Sequence, residues 1–519
     1  MTWVRAAIVA ALFLMGAAPA AQAQDVTLTS RDGAVEISGD LLGFDGEFYR
    51  VDTIYGELTV DGSGVLCEGP GCPNLADYVA EARLSGSPVI GRVLMPALLE
   101  AFALKNGLDL ARGAEEDRSV TYTLSDKQSG EPRGRFHFHL TNSDEGFADL
   151  IADEADMVMS LREARPAEVR RAREAGLGDL TDARRSRVLA LDALAPLVAA
   201  ENDVTAITTS QLAAVLTGEI DNWSDLGGPD APIAVHLHDP RSGLGQATED
   251  QMLRGAGQSI RADAMRHEDG PSLTAAVARD PFAIGVGSRA ELDLTFELAL
   301  EGACGFAISA TRRAVKTEDY PLSAPMFLYL PARRFPKLVR EFLVFTREPA
   351  AQLVIRRAGF VDQLPEEIEI DEQGDRFANA ILNAGDEVTL ETLQGMVRAL
   401  APLKRLTTTF RFEPGSIRLD AQSRSNVAQL ARALESGYYD GRRMVFVGFS
   451  DGKGAATVNR NIARRRARAV YDAVLRQAET LNPARLTLEI EAFGEAMPMA
   501  CDDSDWGRRA NRRVEIWVR

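Results

Sequence analysis

Long apolar runs are missing from this chain beyond its first eighteen residues, and histidine and cysteine are scarce. No later stretch reaches the ~18 consecutive apolar residues that a membrane span requires. Four cysteines in 519 residues are too few for a disulfide scaffold. The five histidines are His137, His139, His236, His238 and His267. They offer only two i,i+2 pairs, each with both imidazoles on one strand face, and no Cys or carboxylate pattern beside them. No metal site and no cofactor are expected from that. No nucleophile is grouped with a base, so no enzyme is expected either. Repeats and low-complexity tracts are absent as well.

What the chain does have begins at its N-terminus. Met1 to Arg5 is a short positive segment, Ala6 to Ala18 is apolar, and Ala21-Gln22-Ala23 is a small-x-small cleavage site before Gln24. Residues 1–23 read as a secretory signal peptide, too short to span a bilayer comfortably. No Cys lies near the cleavage site, so a lipid anchor is not expected. The mature chain is expected to be exported and soluble. Its length of 519 residues predicts about three domains. Cys67 and Cys72 enclose Glu-Gly-Pro-Gly, a tight turn, and are expected to form a disulfide with each other. Cys304 and Cys501 are far apart in sequence, which leaves open whether they bridge two domains or stay as buried thiols.

The net charge of −18 is unevenly spread. From Arg405 onward there are 19 Arg and 1 Lys against 14 Asp plus Glu, a net +6, so the rest of the chain carries −24. An acidic body on a basic tail argues against nucleic acid as partner and is compatible with the tail meeting an anionic polymer. Residues 24–73 alternate in polarity between D-G, F-D-G and Y-G punctuation, which predicts a small β meander. Residues 74–363 alternate helices with short apolar strands, the pattern of an α/β domain. Residues 364–404 start acidic and become amphipathic, which predicts a connecting helix. Residues 405–519 alternate β and α again, the pattern of a separate α+β domain.

The tail carries the sharpest motifs: V-G-F-S-D-G-K-G from Val447, N-R-N-I-A-R-R-R-A-R-A-V from Asn459, and G-R-R-A-N-R-R-V-E-I from Gly507. Together these resemble an OmpA-like peptidoglycan-binding domain. Diaminopimelate in the stem peptides of Gram-negative peptidoglycan carries an ammonium and a carboxylate on one short side chain. Gripping it takes one fixed anion and one fixed cation. Asp451 follows a predicted strand, and Arg466 lies about two turns into the next helix. By resemblance Asp451 matches the family's aspartate, with Ser450 in place of Thr. Arg466 matches the arginine, Asn459 the asparagine, and Arg513 part of the N-R-R-V-E segment. Gly494, Glu495 and Pro498 fit a family turn.

The central domain is similar to the phosphate-binding proteins of ABC importers, with a two-lobed type 2 periplasmic binding fold. The phrases that carry this include L-S-G-S from Leu84, A-D-M-V-M-S-L-R from Ala155, L-T-G-E-I-D-N-W from Leu216, and S-G-L-G from Ser242. Such folds close on an oxyanion between two lobes, with helix N-termini, hydroxyls and an arginine around it. The resemblance assigns this pocket to Ser85, Gly86, Ser87, Ser160, Arg162, His238, Arg241, Ser242 and Gly243. It also shows departures. Val89 and Leu244 stand where hydroxyls are usual, Leu161 where a polar or acidic residue is, and His238 where an arginine is. Each lost hydrogen bond to a charged ligand removes about 1.5–3 kcal/mol.

The resemblances together imply a non-catalytic periplasmic binding protein tethered to peptidoglycan, associated with the wall or outer membrane of a Gram-negative cell. It would take phosphate or a related small anion, and possible service to an ABC permease follows from the same family. The alternative is an envelope-organising protein whose lobes have lost their ligand.

Overall fold

The computed structural model describes residues 25–75, 78–253, 257–292, 294–301, 307–413, 415–502 and 505–519. The expected signal peptide and Cys304 lie outside them. The chain forms two compact units.

The smaller unit comprises the chain up to Glu81 together with Arg334–Glu341. Its five strands run in the order Gly56–Asp61, Phe48–Thr53, Glu36–Phe44, Val26–Ser30 and Val65–Glu68. Alternate residues Val26 and Leu28, with Tyr49 and Val51, point to one face and form its core. Cys67 and Cys72 are joined by a disulfide, as the turn sequence predicts. The segment Arg334–Glu341 is held by charge: Glu47 accepts from Arg334 at 3.1 Å, Lys337 at 3.2 Å and Arg340 at 2.6 Å.

The larger unit begins with the α/β domain. The strand Ser186–Val198 organises it, because its apolar run S-R-V-L-A-L-D-A-L-A-P-L-V is buried almost throughout and serves two half-sheets. Its first half pairs antiparallel with Ser323–Tyr329, from Ser186 against Tyr329 to Ala193 against Ser323. Its second half pairs with Ala283–Ser288, from Leu194 against Ser288 to Val198 against Ile284. One lobe continues through Met157–Ser160, Ala80–Gly86, Pro132–Leu140 and Ser119–Asp126 to Leu108–Arg112. The other continues through Ala234–His238 to Met265–His267. This is the expected α/β architecture in two lobes.

The C-terminal sheet runs Glu367–Ile368, Lys404–Phe410, Val514–Val518, Arg443–Phe449, Thr487–Gly494. The strand Arg443–Phe449 is buried on both faces. Met444 and Phe446 join a core with Leu430, Val470 and Val474 from the helices Ala421–Glu435 and Ala456–Gln477. Val445 and Val447 join another with Ala380, Met396, Leu400 and Trp517. Ala380 and Met396 belong to the helices Gly374–Asn383 and Leu390–Leu400. The segment 364–404, expected as a connector, is therefore part of this domain: it covers one sheet face and adds the edge strand Glu367–Ile368 beside Leu406 and Arg405.

The two domains of the larger unit meet across buried charge. Arg405 bonds Asp319 at 2.6 and 3.0 Å and lies 3.4 Å from Glu515. Glu515 also takes Arg513 at 2.7 Å and Arg376. The three guanidinium groups outweigh the desolvation of Glu515 and hold its carboxyl well below the ordinary range.

Candidate functional sites

The strand Arg443–Phe449 delivers Ser450 and Asp451 to the loop before the helix Ala456–Gln477. That helix lies hard against the strand because position 448 is glycine: a Cβ there would stand 2.2 Å from the Ala463 carbonyl oxygen. Burial first, then Arg512, lower the Arg466 pKa from its ordinary value, and the charge of Asp451 opposes them. Arg466 is only 7% exposed, its guanidinium lies 5.4 Å from the Phe412 ring centroid, and its Nε has no hydrogen-bond partner. Asp451 accepts from Arg512 at 2.6 Å, with 15% of its side chain exposed. Ser450 Oγ is buried and unpartnered.

Asn459 is turned to the loop, donating to Glu495 Oε2 at 2.7 Å and to the Gly454 carbonyl at 3.2 Å. Glu495, read from sequence as part of a turn, thereby fixes Asn459. Arg513, expected at the binding surface, is instead sealed in the core. It shares a strand face with Glu515 and donates to Glu515 and to the Met497 carbonyl at 3.0 Å. Its neighbour Arg512 is the one that reaches Asp451. A period of two along N-R-R-V-E carries that distinction, since Arg513 and Glu515 share parity and Arg512 does not. Phe412 and Asp502 also belong to the site, Asp502 by accepting from the Gly452 amide at 2.5 Å. The result is one carboxylate between two arginines, of which Arg466 has no carboxylate bonded to it among the described residues.

The cleft residues of the α/β domain are placed differently. Gly86 has φ +132°, and a Cβ there would lie 2.1 Å from the Met159 oxygen, so the S-G-S loop needs glycine at its centre. Yet two of that loop's donors are engaged by the protein. Ser85 Oγ donates to Asp149 at 2.5 Å, and the Ser87 amide donates to the Met159 carbonyl at 2.8 Å. Pro88 contributes no N–H to the helix end that follows. Ser160 Oγ donates to the Arg162 carbonyl at 2.7 Å. Arg162 bonds both oxygens of Glu168, at 2.8 and 2.6 Å, and also Asp144. Arg165 bonds Asp144 at 2.9 Å and Asp250 at 2.9 Å. Three carboxylates thus outnumber two guanidinium groups.

On the opposite lobe Arg241 is bound to Asp239 at 3.1 and 2.9 Å, and Ser242 caps the helix Gly243–Met252 by accepting from the Gly245 amide at 3.0 Å. Burial, with His267 beside it, pushes His238 down to about 4, so it is neutral at pH 7. Gly243 faces Ser87 and Leu161 across the cleft: a Cβ on it would meet Ser87 Oγ at 3.0 Å and Leu161 Cδ1 at 3.1 Å. Ser87 Oγ is buried without a partner. The two loops do converge, as the resemblance implies, but onto an aliphatic side chain and one unpartnered hydroxyl.

The histidine pairs bond elsewhere: His137 to Thr121 at 3.0 Å, His139 to Asp149 at 3.1 Å, and His236 to His267 at 2.9 Å. Among the described residues no group of three or more His, Cys, Asp and Glu is arranged to hold a metal ion.

Comparison with known proteins agrees with this division. Residues 134–348 match the model of a PBP superfamily domain, and residues 411–512 match that of the OmpA family. The phosphate-binding protein PstS of Borreliella burgdorferi is 25% identical over 179 residues, 34% of this chain and 64% of that protein. The chain thus spans slightly under two thirds of that relative. The peptidoglycan-associated lipoprotein of Pseudomonas putida is 31% identical over 134 residues, 26% of this chain and 76% of that protein. Among solved structures, an ABC-type phosphate transport receptor from Vibrio cholerae aligns with 54% of this chain and 99% of its own, at 22% identity and a TM-score of 0.42. The chain belongs to the OmpA family in its C-terminal domain.

Proposed function

We propose that this is a non-catalytic periplasmic protein held on peptidoglycan by its C-terminal domain. Asp451 accepts from the ammonium of diaminopimelate, and Arg466 donates to its carboxylate. The observation that carries this reading is the pairing of a partly exposed carboxylate with an arginine whose Nε is unpartnered, both fixed by one strand–helix crossing. The test is a pull-down of the mature protein on purified sacculi with free diaminopimelate as competitor. Retention that diaminopimelate displaces supports the reading, and retention that it leaves unchanged contradicts it.

For the two-lobed domain, the engaged arginines and the Leu161–Gly243 contact favour an envelope-organising role over capture of free phosphate in the cleft. One observation favours the receptor reading: the buried Ser87 Oγ has no partner and faces the second loop. In that reading the lobes open to admit phosphate, and an ABC permease is the partner served. Site-resolved phosphate binding separates the two, because Ser87→Ala abolishes it only if the cleft takes the anion.

A further inference from the structure

The cleft arginines Arg162, Arg165 and Arg241 are paired with carboxylates, but, among the described residues, three arginines elsewhere are not. Arg187 begins the long shared strand, Arg347 follows the helix Lys337–Phe345, and Arg432 lies on the helix Ala421–Glu435 of the C-terminal domain. Arg187 donates to the Leu343 carbonyl at 2.8 Å, while its Nε is buried and has no partner. No carboxylate bonds any of the three among the described residues. Glu435, whose charge favours that of Arg432, has Oε1 committed to the amide and hydroxyl of Thr480, both at 2.9 Å. Burial, then repulsion by neighbouring arginines, push Arg187 down to about 9 and Arg347 to about 10.

Arg347 and Arg432 line a small cavity where the two domains meet, and its other walls are mostly polar. Gln363 organises it. Its Nε2 donates to the Val188 carbonyl at 2.9 Å, its amide donates to Gln352 Oε1 at 2.9 Å, and its Oε1 accepts from Gln429 at 2.8 Å and Ser425 at 3.3 Å. The enclosed space is about 10 Å³, enough for one water. Anything larger than a water would have to sit at the mouth, beside the exposed Arg432.

We propose that Arg347 and Arg432 form a binding site for a small tetrahedral oxyanion, phosphate or sulfate, at the junction of the two domains. The anion joins Arg432 of the C-terminal domain to Arg347 of the α/β domain. The site lies outside the cleft between the lobes and does not depend on the wall-binding reading.

The test is calorimetric titration of the mature protein with inorganic phosphate and with sulfate. Arg432→Gln is the main variant, since an exposed side chain is replaced. Arg347→Gln is the second, with circular dichroism to verify its fold. Ser87→Ala reports on the cleft. Either arginine substitution weakens oxyanion binding by about tenfold or more, and Ser87→Ala leaves it within twofold. No binding of either anion by the wild type, binding unchanged in Arg432→Gln, or binding lost in Ser87→Ala overturns the proposal.

Discussion

Asp451 and Arg512 form a 2.6 Å ion pair across 61 residues of sequence. The bond uses Oδ2 of Asp451, and no protein group bonds the other oxygen among the described residues. Arg512 thus positions the carboxylate while leaving one oxygen for a ligand ammonium. Replacing Arg512 by Gln should loosen Asp451 without removing it. Sacculus binding should fall in the order wild type, Arg512→Gln, Asp451→Ala, with the middle variant weakened roughly three- to tenfold. Titrating each protein with sacculi checks the order.

Glu515 is fully buried among Arg376, Arg405 and Arg513. Glu515→Gln leaves Arg376 and Arg513 without their carboxylate, Arg405 keeping Asp319, and should destabilise the larger unit by about 3–5 kcal/mol, measured by calorimetric or denaturant melting. The carboxyl's depressed pKa gives stability that is fully present above its unfolded value and lost only as pH falls through the folded one. The unit should therefore keep this contribution through mildly acidic pH.

Glu318, next to Asp319 at the same junction, behaves in the opposite sense. Burial first, then Asp420 and Asp319, raise its pKa to about 8, against opposing contributions from Arg411 and Asn426. Between about pH 4.5 and 8 the folded state holds more protons than the unfolded one, so stability falls as pH rises across that window. The thermal midpoint should drop from pH 5 to pH 8.5, and Glu318→Gln should flatten the drop. An identical slope in the variant would assign the effect to other groups.

Asp250 on one lobe is 2.9 Å from Arg165 on the other, and Leu161 faces Gly243 nearby. Asp250→Ala combined with Leu161→Ala removes both the charge and the apolar contact that close the cleft. Hydrogen exchange at the loop 85–91 should accelerate at least tenfold, with little change in the C-terminal domain, corresponding to about 1.4 kcal/mol or more of lost local protection. Small-angle scattering provides a second readout through a larger radius.

Much of the C-terminal fold was legible because its strands are short, apolar and separated by strongly amphipathic helices. The helix Ala421–Glu435 buries Val427, Leu430, Ala431 and Leu434, a spacing of three and four that its sequence displays. The edge strand Glu367–Ile368 was not legible, because two residues carry no periodicity and its pairing partner is distant. Arg512 and Arg513 were confused because motif matching ignores side-chain parity. Asp250, like the junction arginines Arg347 and Arg432, belongs to contacts between distant segments. No local pattern marks residues that meet only when two lobes or two domains close.

Arg464 and Arg466 lie two residues apart on one helix, the first exposed and the second facing Asp451 and Phe412. Substituting each by Ala removes the same charge from the same element. Measuring sacculus affinity for the two variants tests the central claim most directly. Arg466→Ala is expected to lose at least about tenfold in affinity while Arg464→Ala stays within twofold of wild type. Equal losses, or none for Arg466→Ala, would contradict a specific grip on diaminopimelate and leave only the attraction of a basic domain for an anionic polymer.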